Sequence, residues 1–171
     1  GIFGHPEAAN MTYLGLYALQ HRGEESAGIT SSDGTQMRVT RGMGYVADVF
    51  GGETLASLKG EAAIGHVRYS TAGESRLSNA QPILIDCAHG SIAICHNGNL
   101  VNAGELRDEL VRAGSIFQSS TDTEVVLHLY ARSRGATVEE ALIDSVSQVQ
   151  GAFSFLLMTK DKLDRKSTRL N

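Results

Sequence analysis

Asn97 and Gly98 follow an alternating apolar run, in the segment SIAICHNGNLVN from Ser91 to Asn102. A side-chain amide beside an unhindered glycine N–H supplies two donors that can point at one developing negative oxygen, which is the equipment of an oxyanion hole. Acyl transfer is the chemistry such a pair would serve. Taken alone, the same dipeptide also reads as a type I′ hairpin turn, since both residues tolerate positive φ. Cys95 beside His96 brings a thiol to the same place, but no partner for it is identifiable. With no C-x-x-C spacing, Cys87 and Cys95 read as small buried hydrophobes.

The elements that must position these groups are legible in the periodicities. Pro6 stands where a helix start tolerates proline, and Ala8, Met11, Leu14, Gly15 and Ala18 recur at helical spacing toward an end near His21-Arg22-Gly23. Ala27 to Thr30 and Met37 to Thr40 flank the turn signal Ser32-Asp33-Gly34 and predict a hairpin. A short helix is expected over Glu53 to Lys59. Ala62 to Tyr69 and Ile83 to Asp86 read as buried strands, separated by a loop from Ser70 to Asn79 that lacks apolar periodicity and is long enough to be functional. The run from Ser91 is expected to end as a strand at His-Asn-Gly. Three helices are then announced by a capping residue with glutamate three positions later: Asn102 with Glu105, Thr121 with Glu124, and Thr137 with Glu140. Ala152 to Thr159 closes the folded portion as a strand, and no further strand is expected after the turn-like Thr159-Lys160-Asp161-Lys162. The last eight residues, DRKSTRLN, are polar and unpatterned and resemble a translated sequencing adapter, so residues 1–163 are expected to form the domain and 164–171 a non-native tail.

Strands and helices arrive in blocks, which favours antiparallel sheets covered by helices, an α+β architecture, over a doubly wound parallel sheet. The length of 171 residues suits one domain. A formal net charge of −4 with scattered Lys and Arg offers no basic stripe, so nucleic acid is not an expected partner. No stretch approaches the roughly 20 apolar residues of a membrane span, and the N-terminus lacks a signal pattern. A cytoplasmic location is expected by elimination.

Four segments stand out in order: HRGEESAGI from His21, GHVRYSTAG from Gly65, CHNGNLVN from Cys95 and SSTDTEV from Ser119. Together they resemble the glutaminase domain of the amidophosphoribosyltransferase family over nearly the whole chain, from Gly1 to about Leu163. The resemblance implies the N-terminal-nucleophile hydrolase fold, a four-layer αββα sandwich of two antiparallel sheets, here truncated at both ends. It also implies that an N-terminal cysteine, with its own α-amino group as base, attacks the side-chain amide of glutamine. Ammonia would then serve phosphoribosylamine formation from phosphoribosyl pyrophosphate, the first step of purine synthesis.

Residue by residue, the resemblance makes Asn97 (side-chain amide) and Gly98 (backbone N–H) the oxyanion donors. Arg68 would grip the substrate α-carboxylate with its planar fork, and Asp122 would take the substrate ammonium. By position alone Arg68 is a surface arginine at a strand end, and Asp122 a helix-start aspartate favoured by the macrodipole. Tyr69, Ser70 and Thr71 begin the loop that resembles the family's glutamine lid. Arg22 reads equally as a positioning residue or as one half of a structural ion pair. His21, His66 and His96 read as structural, and no metal-ligand spacing is present.

The chain departs from the family in opening at Gly1-Ile2-Phe3-Gly4, without the cysteine that the family carries a few residues earlier. As written it is therefore expected not to hydrolyse glutamine. No cofactor is expected in this portion. Magnesium is implied only for a C-terminal phosphoribosyltransferase domain outside it, an iron-sulfur cluster is left open, and the full-length protein is expected to be a homo-oligomer. Two alternatives share these residues. One is the glutaminase domain of an aminosugar-forming or asparagine-forming amidotransferase, opposed by Arg68-Tyr69-Ser70-Thr71-Ala72 and His96-Asn97-Gly98-Asn99, whose wording differs from the aminosugar group's. The other is a non-catalytic glutaminase-like binding or regulatory module.

Overall fold

Eight strands pair into two four-stranded antiparallel sheets in a computed structural model that describes residues 1–69 and 75–167, the last four by backbone alone. The first sheet has the order β1-β4-β2-β3, from β1 (Ile2–Phe3), β2 (Ser26–Ser32), β3 (Met37–Met43) and β4 (Ala62–Arg68). The second has the order β5-β6-β7-β8, from β5 (Ile83–Cys87), β6 (Gly90–Leu100), β7 (Gly151–Met158) and β8 (Leu163–Ser167). The expected hairpin forms around Asp33, whose Oδ1 accepts from the Thr35 and Gln36 N–H groups at 3.0 and 2.8 Å.

Period-two alternation assigns each sheet two apolar faces. On β4, Ala62 and Ile64 face the second sheet and pack with Ala93, Cys95 and Met158, while Ala63 joins Ala27 and Ile29 beneath α1 (Ala8–Ala18). On β6, Ile92 and Ile94 turn the other way, into a core shared with α4 (Ala103–Arg112), α5 (Thr123–Arg132) and α6 (Val138–Ser147). Helix, sheet, sheet and helix thus form four layers, as the resemblance implied. Ile29, Ile64, Ile92 and Ile94 lie fully inside, each contributing about 1.5–3 kcal/mol of burial.

The buried face of α1 differs from the one its spacing suggested: Ala8, Ala9, Thr12 and Leu16 are covered, whereas Met11 and Leu14 are exposed. Gly65 of β4 decides this, because a Cβ there would stand 2.6 Å from Thr12 and 2.8 Å from Leu16. The helix settles into the space that glycine leaves. Two short helices follow β3, α2 (Val46–Val49) and α3 (Gly52–Ser57), of which only the second was expected.

Of the three expected capping boxes one forms. Thr137 accepts from the Glu140 N–H at 3.2 Å while Glu140 accepts from the Thr137 N–H at 3.3 Å. The Asn102 side chain instead bridges to Gln148 and Gln150, and the buried Glu124 side chain takes the N–H groups of Gln118 and Ser119. A long-range demand outbids the cap at Asn102, and the amides of the loop just before α5 do so at Glu124. A further correction concerns the C-terminal end. Residues Leu163–Ser167 return as β8 and pair with Ser154–Met158 of β7, so the strand that the turn-like Thr159–Lys162 announces is present and begins the segment expected to be a tail.

Candidate active site

Pairing between β5 and β6 stops at Ile83 opposite Ile94, while β6 runs on to Leu100 and stays in register with β7, Asn97 opposite Ser154 and Gly98 opposite Phe153. Asn97-Gly98 is therefore neither a hairpin turn nor a strand end, but part of a strand with one long edge uncovered. Along an antiparallel strand the N–H groups alternate in direction. Those of His96 and Leu100 leave the β7 side and are taken by Gln81 Oε1 at 2.6 Å and Asp122 Oδ2 at 2.9 Å. The same alternation aims the Gly98 N–H, between them, outward on that edge. Gly98 has φ +145°, and a Cβ there would stand 2.2 Å from the Ala152 carbonyl oxygen, so the position requires glycine.

This edge borders a cavity of about 370 Å³ lined by Arg22, Arg68, Tyr69, Asn97, Gly98 and Asp122, among others. Every site residue expected from the sequence and lying within the described residues thus meets at one opening. Ser70 and Thr71 lie outside the described residues. Asn97 is exposed, and by alternation with Cys95 its side chain belongs to the face between the sheets. There it also borders a second cavity of about 400 Å³ with Gly1, His66 and Cys95. Cys95 is buried, and burial pushes its thiol far above the ordinary range, which leaves it protonated and inert.

Arg68, at the end of β4, is only 7% exposed, and its guanidinium donates to Glu25, the residue just before β2. The surface-arginine reading of this position is thereby corrected: strand pairing of Ser26 with Arg68 brings the carboxylate alongside and makes burial of the charge tolerable. Arg22 lies in a 3-10 turn over Gln20–Arg22 and is exposed at the cavity.

Asp122 occupies the N-cap position of α5 but makes no cap hydrogen bond; its carboxylate reaches back to β6. Burial works to raise its pKa, yet the His96 ring, the Leu100 N–H and the Thr123 N–H outweigh burial and lower it on balance. Asp122 is an anion at neutral pH. His96 Nδ1 lies 3.3 Å from Asp122 Oδ1 and 3.1 Å from Thr123 Oγ1. The ring Nε2 of His66, opposite, meets the His96 carbonyl oxygen at 3.0 Å. Burial pushes His66 down to about 4, with the charges of His96 and Arg68 adding to that against the hydrogen bond to His96. Of the three histidines read from the sequence as structural, His66 and His96 therefore stand at the cavity wall, while His21 does not line it.

Glu25, Gln81 and Thr123 escaped sequence reading. Glu25 sits inside the HRGEESAGI segment and Thr123 inside SSTDTEV, so their positions were marked without their roles; Gln81 carries no periodic or motif signal that isolates it. Among the described residues, no group of three or more His, Cys, Asp or Glu side chains is placed to hold a metal, and no helix is long and apolar enough to cross a membrane.

The glutamine amidotransferase domain profile matches residues 66–168, more than half of the chain. The chain belongs to the glutamine amidotransferase domain family. This glutamine amidotransferase domain is 49% identical over 164 residues to an amidophosphoribosyltransferase of Staphylococcus aureus strain Mu50, an alignment that takes in 95% of the chain and 33% of that relative. Among solved structures it superposes with TM-score 0.89 and 48% identity on one titled as the allosteric regulatory enzyme of purine biosynthesis, over 93% of this chain and 34% of that one. The glutamine phosphoribosylpyrophosphate amidotransferase from Bacillus subtilis, solved with ADP and GMP, gives TM-score 0.87 and 47% identity over the same shares. The glutamine amidotransferase domain thus spans about a third of the length of the relatives it matches.

Proposed function

We propose that this chain is the glutaminase portion of an amidophosphoribosyltransferase, releasing ammonia from glutamine for transfer to a phosphoribosyl group in purine synthesis. One observation carries the reading: a fixed cation, Arg68, and a fixed anion, Asp122, line the same cavity as the paired donors Asn97 and Gly98. A free amino acid presents a carboxylate and an ammonium at one end and, in glutamine, an amide at the other. The guanidinium pairs the carboxylate with two parallel hydrogen bonds and Asp122 receives the ammonium, which fixes where the amide carbon lies. Tyr69 lines the same cavity.

The nucleophile implied by the resemblance is an N-terminal cysteine. Continuing the β1–β4 register, in which Ile2 pairs with Ala63, a residue directly before Gly1 would lie opposite Gly65 and the next opposite His66, beside the cavity that Asn97 shares with Gly1. Its sulfur would bond to the amide carbon as the α-amino group takes the thiol proton. Asn97 and Gly98 would hold the oxyanion until the C–N bond breaks, ammonia leaves with that proton, and water cleaves the thioester to glutamate. Magnesium, phosphoribosyl pyrophosphate, a transferase domain and a homo-oligomer belong, in this reading, to the two thirds of the relatives' length outside this alignment. Aqueous biosynthetic chemistry of this kind suits a cytoplasmic enzyme.

The test is calorimetric titration of the chain with L-glutamine, which needs no nucleophile. Saturable binding that is lost in Asp122→Asn and in Arg68→Ala, with glutamate bound more weakly than glutamine, supports the proposal. Absence of glutamine binding by the folded wild-type chain overturns it.

A further inference from the structure

The buried amide of Gln81 joins β6 to α5 at the open edge of β6. Gln81 is 5% exposed. A backbone N–H can only donate, so the 2.6 Å contact from His96 fixes the oxygen of the Gln81 amide toward β6 and leaves its nitrogen toward Thr123 Oγ1, 3.2 Å away on α5. Thr123 Oγ1 therefore accepts from Gln81, and its own proton is free to point toward Asp122 Oδ1, 3.4 Å away. His96 Nδ1 stands 3.3 Å from the same carboxylate oxygen and 3.1 Å from Thr123 Oγ1; because a carboxylate can only accept, we assign the ring proton to Nδ1, where it serves Asp122. The carboxylate is thus surrounded by donors alone: Leu100 N–H, His96 Nδ1–H and Thr123 O–H.

We infer that Gln81 is a positioning residue of this cavity, which sets the direction of the hydrogen-bond ring through Thr123 and His96 so that Asp122 is held as an oriented acceptor beside the strand carrying the Gly98 donor. The inference deepens the glutaminase reading by tying ammonium recognition to a residue that touches no ligand. The ring itself is independent of that reading. Were Gln81 to present an acceptor to Thr123, the hydroxyl would turn its proton away from Asp122, and the carboxylate would lose a donor while gaining a negative neighbour. The Thr123 hydroxyl cannot serve both.

Two variants separate direction from shape. Gln81→Glu keeps the acceptor for the His96 N–H but removes the donor to Thr123; Gln81→Met keeps the volume and removes both. Three readouts are taken on the 171-residue chain: the Asp122 carboxyl titration and His96 ring-nitrogen shifts by NMR, and the dissociation constant for L-glutamine by calorimetry. Expected are an upward shift of the Asp122 titration in Gln81→Glu, a smaller one in Gln81→Met, altered His96 ring shifts, and glutamine binding weakened about tenfold, the scale of one hydrogen bond to a charged group. A purely structural role would lower the melting temperature and leave the Asp122 titration and the affinity in place, which overturns the inference. If the wild-type chain binds no glutamine while the Asp122 titration still responds to both variants, the glutaminase reading fails and the positioning role of Gln81 stands. If the titration is unmoved in both variants, the positioning role fails whatever the affinity does.

Discussion

Glu25 and Arg68 meet as an ion pair across the β2–β4 ladder, with side chains only 11% and 8% exposed. The pair is built by register, Ser26 opposite Arg68, so the carboxylate one residue upstream lies beside the guanidinium at the cavity mouth. Glu25→Ala removes the carboxylate facing a buried cation and should lower stability by about 3 kcal/mol. Urea unfolding of the two proteins measures it, and equal midpoints would show the pair to be solvated and inconsequential. Because the lost anion can be replaced by a ligand carboxylate, the variant should also gain more thermal stability from added glutamine than the wild type does.

Under the proposed glutaminase reading, Asn97 and Arg68 should fail differently in a chain extended at its N-terminus with the cysteine nucleophile which that reading implies. Asn97→Ala removes a donor that matters when charge develops and should lower turnover about a hundredfold or more with little change in the Michaelis constant. Arg68→Ala removes ground-state binding and should chiefly raise the Michaelis constant. Steady-state ammonia release distinguishes the two, and an unchanged turnover in Asn97→Ala would remove the oxyanion assignment.

His66 makes stability depend on pH in a window of its own. Its imidazole, buried between the sheets, resists protonation until about pH 4, while the unfolded chain takes that proton near the ordinary value of 6.5. The unfolded state binds more protons between these values, so the fold is fully stable above 6.5 and loses up to about 3 kcal/mol as pH falls to 4. The urea midpoint should drop between pH 7 and pH 4.5, and His66→Gln should flatten that slope. A wild-type midpoint that stays constant over this range would contradict the burial effect.

Thr137 caps α6 reciprocally with Glu140, and Thr137→Ala should cost about 1 kcal/mol. Thermal unfolding reads this directly. Glu124→Ala tests the opposite case, since Glu124 holds the Gln118 and Ser119 amides and not a cap: burial raises its pKa, but its hydrogen bonds with His128, Ser119 and Gln118 outweigh that and keep it down at about 2. Hydrogen exchange should quicken at 118 and 119, and unchanged protection there would show that the loop is held by other contacts.

What the amino-acid sequence determined by itself is whatever a few neighbouring residues can settle. The hairpin around Asp33, the alternation along β4 and β6, the helix beginning at Thr137 and the donor pair Asn97-Gly98 all rest on spacing within one or two turns of chain, where periodicity and side-chain-to-backbone bonds act. The caps at Asn102 and Glu124 were misread for the complementary reason. Asn102 had backbone partners more than forty residues away, and Glu124 was taken by the amides of the loop just before its helix, whose path the capping pattern does not encode.

Only the tertiary structure decided that residues 68, 97 and 122 share one cavity. That outcome depends on where β5 stops pairing, which leaves one edge of β6 uncovered from Cys95 to Leu100, and on α5 placing Asp122 against that edge. It depends equally on Gly65 admitting α1 and on Gly98 fitting beneath the Ala152 carbonyl. Cross-sheet register and close approach are properties of packed surfaces, so no stretch of sequence contains them; a motif names the chemical groups, and only packing assigns them a common volume.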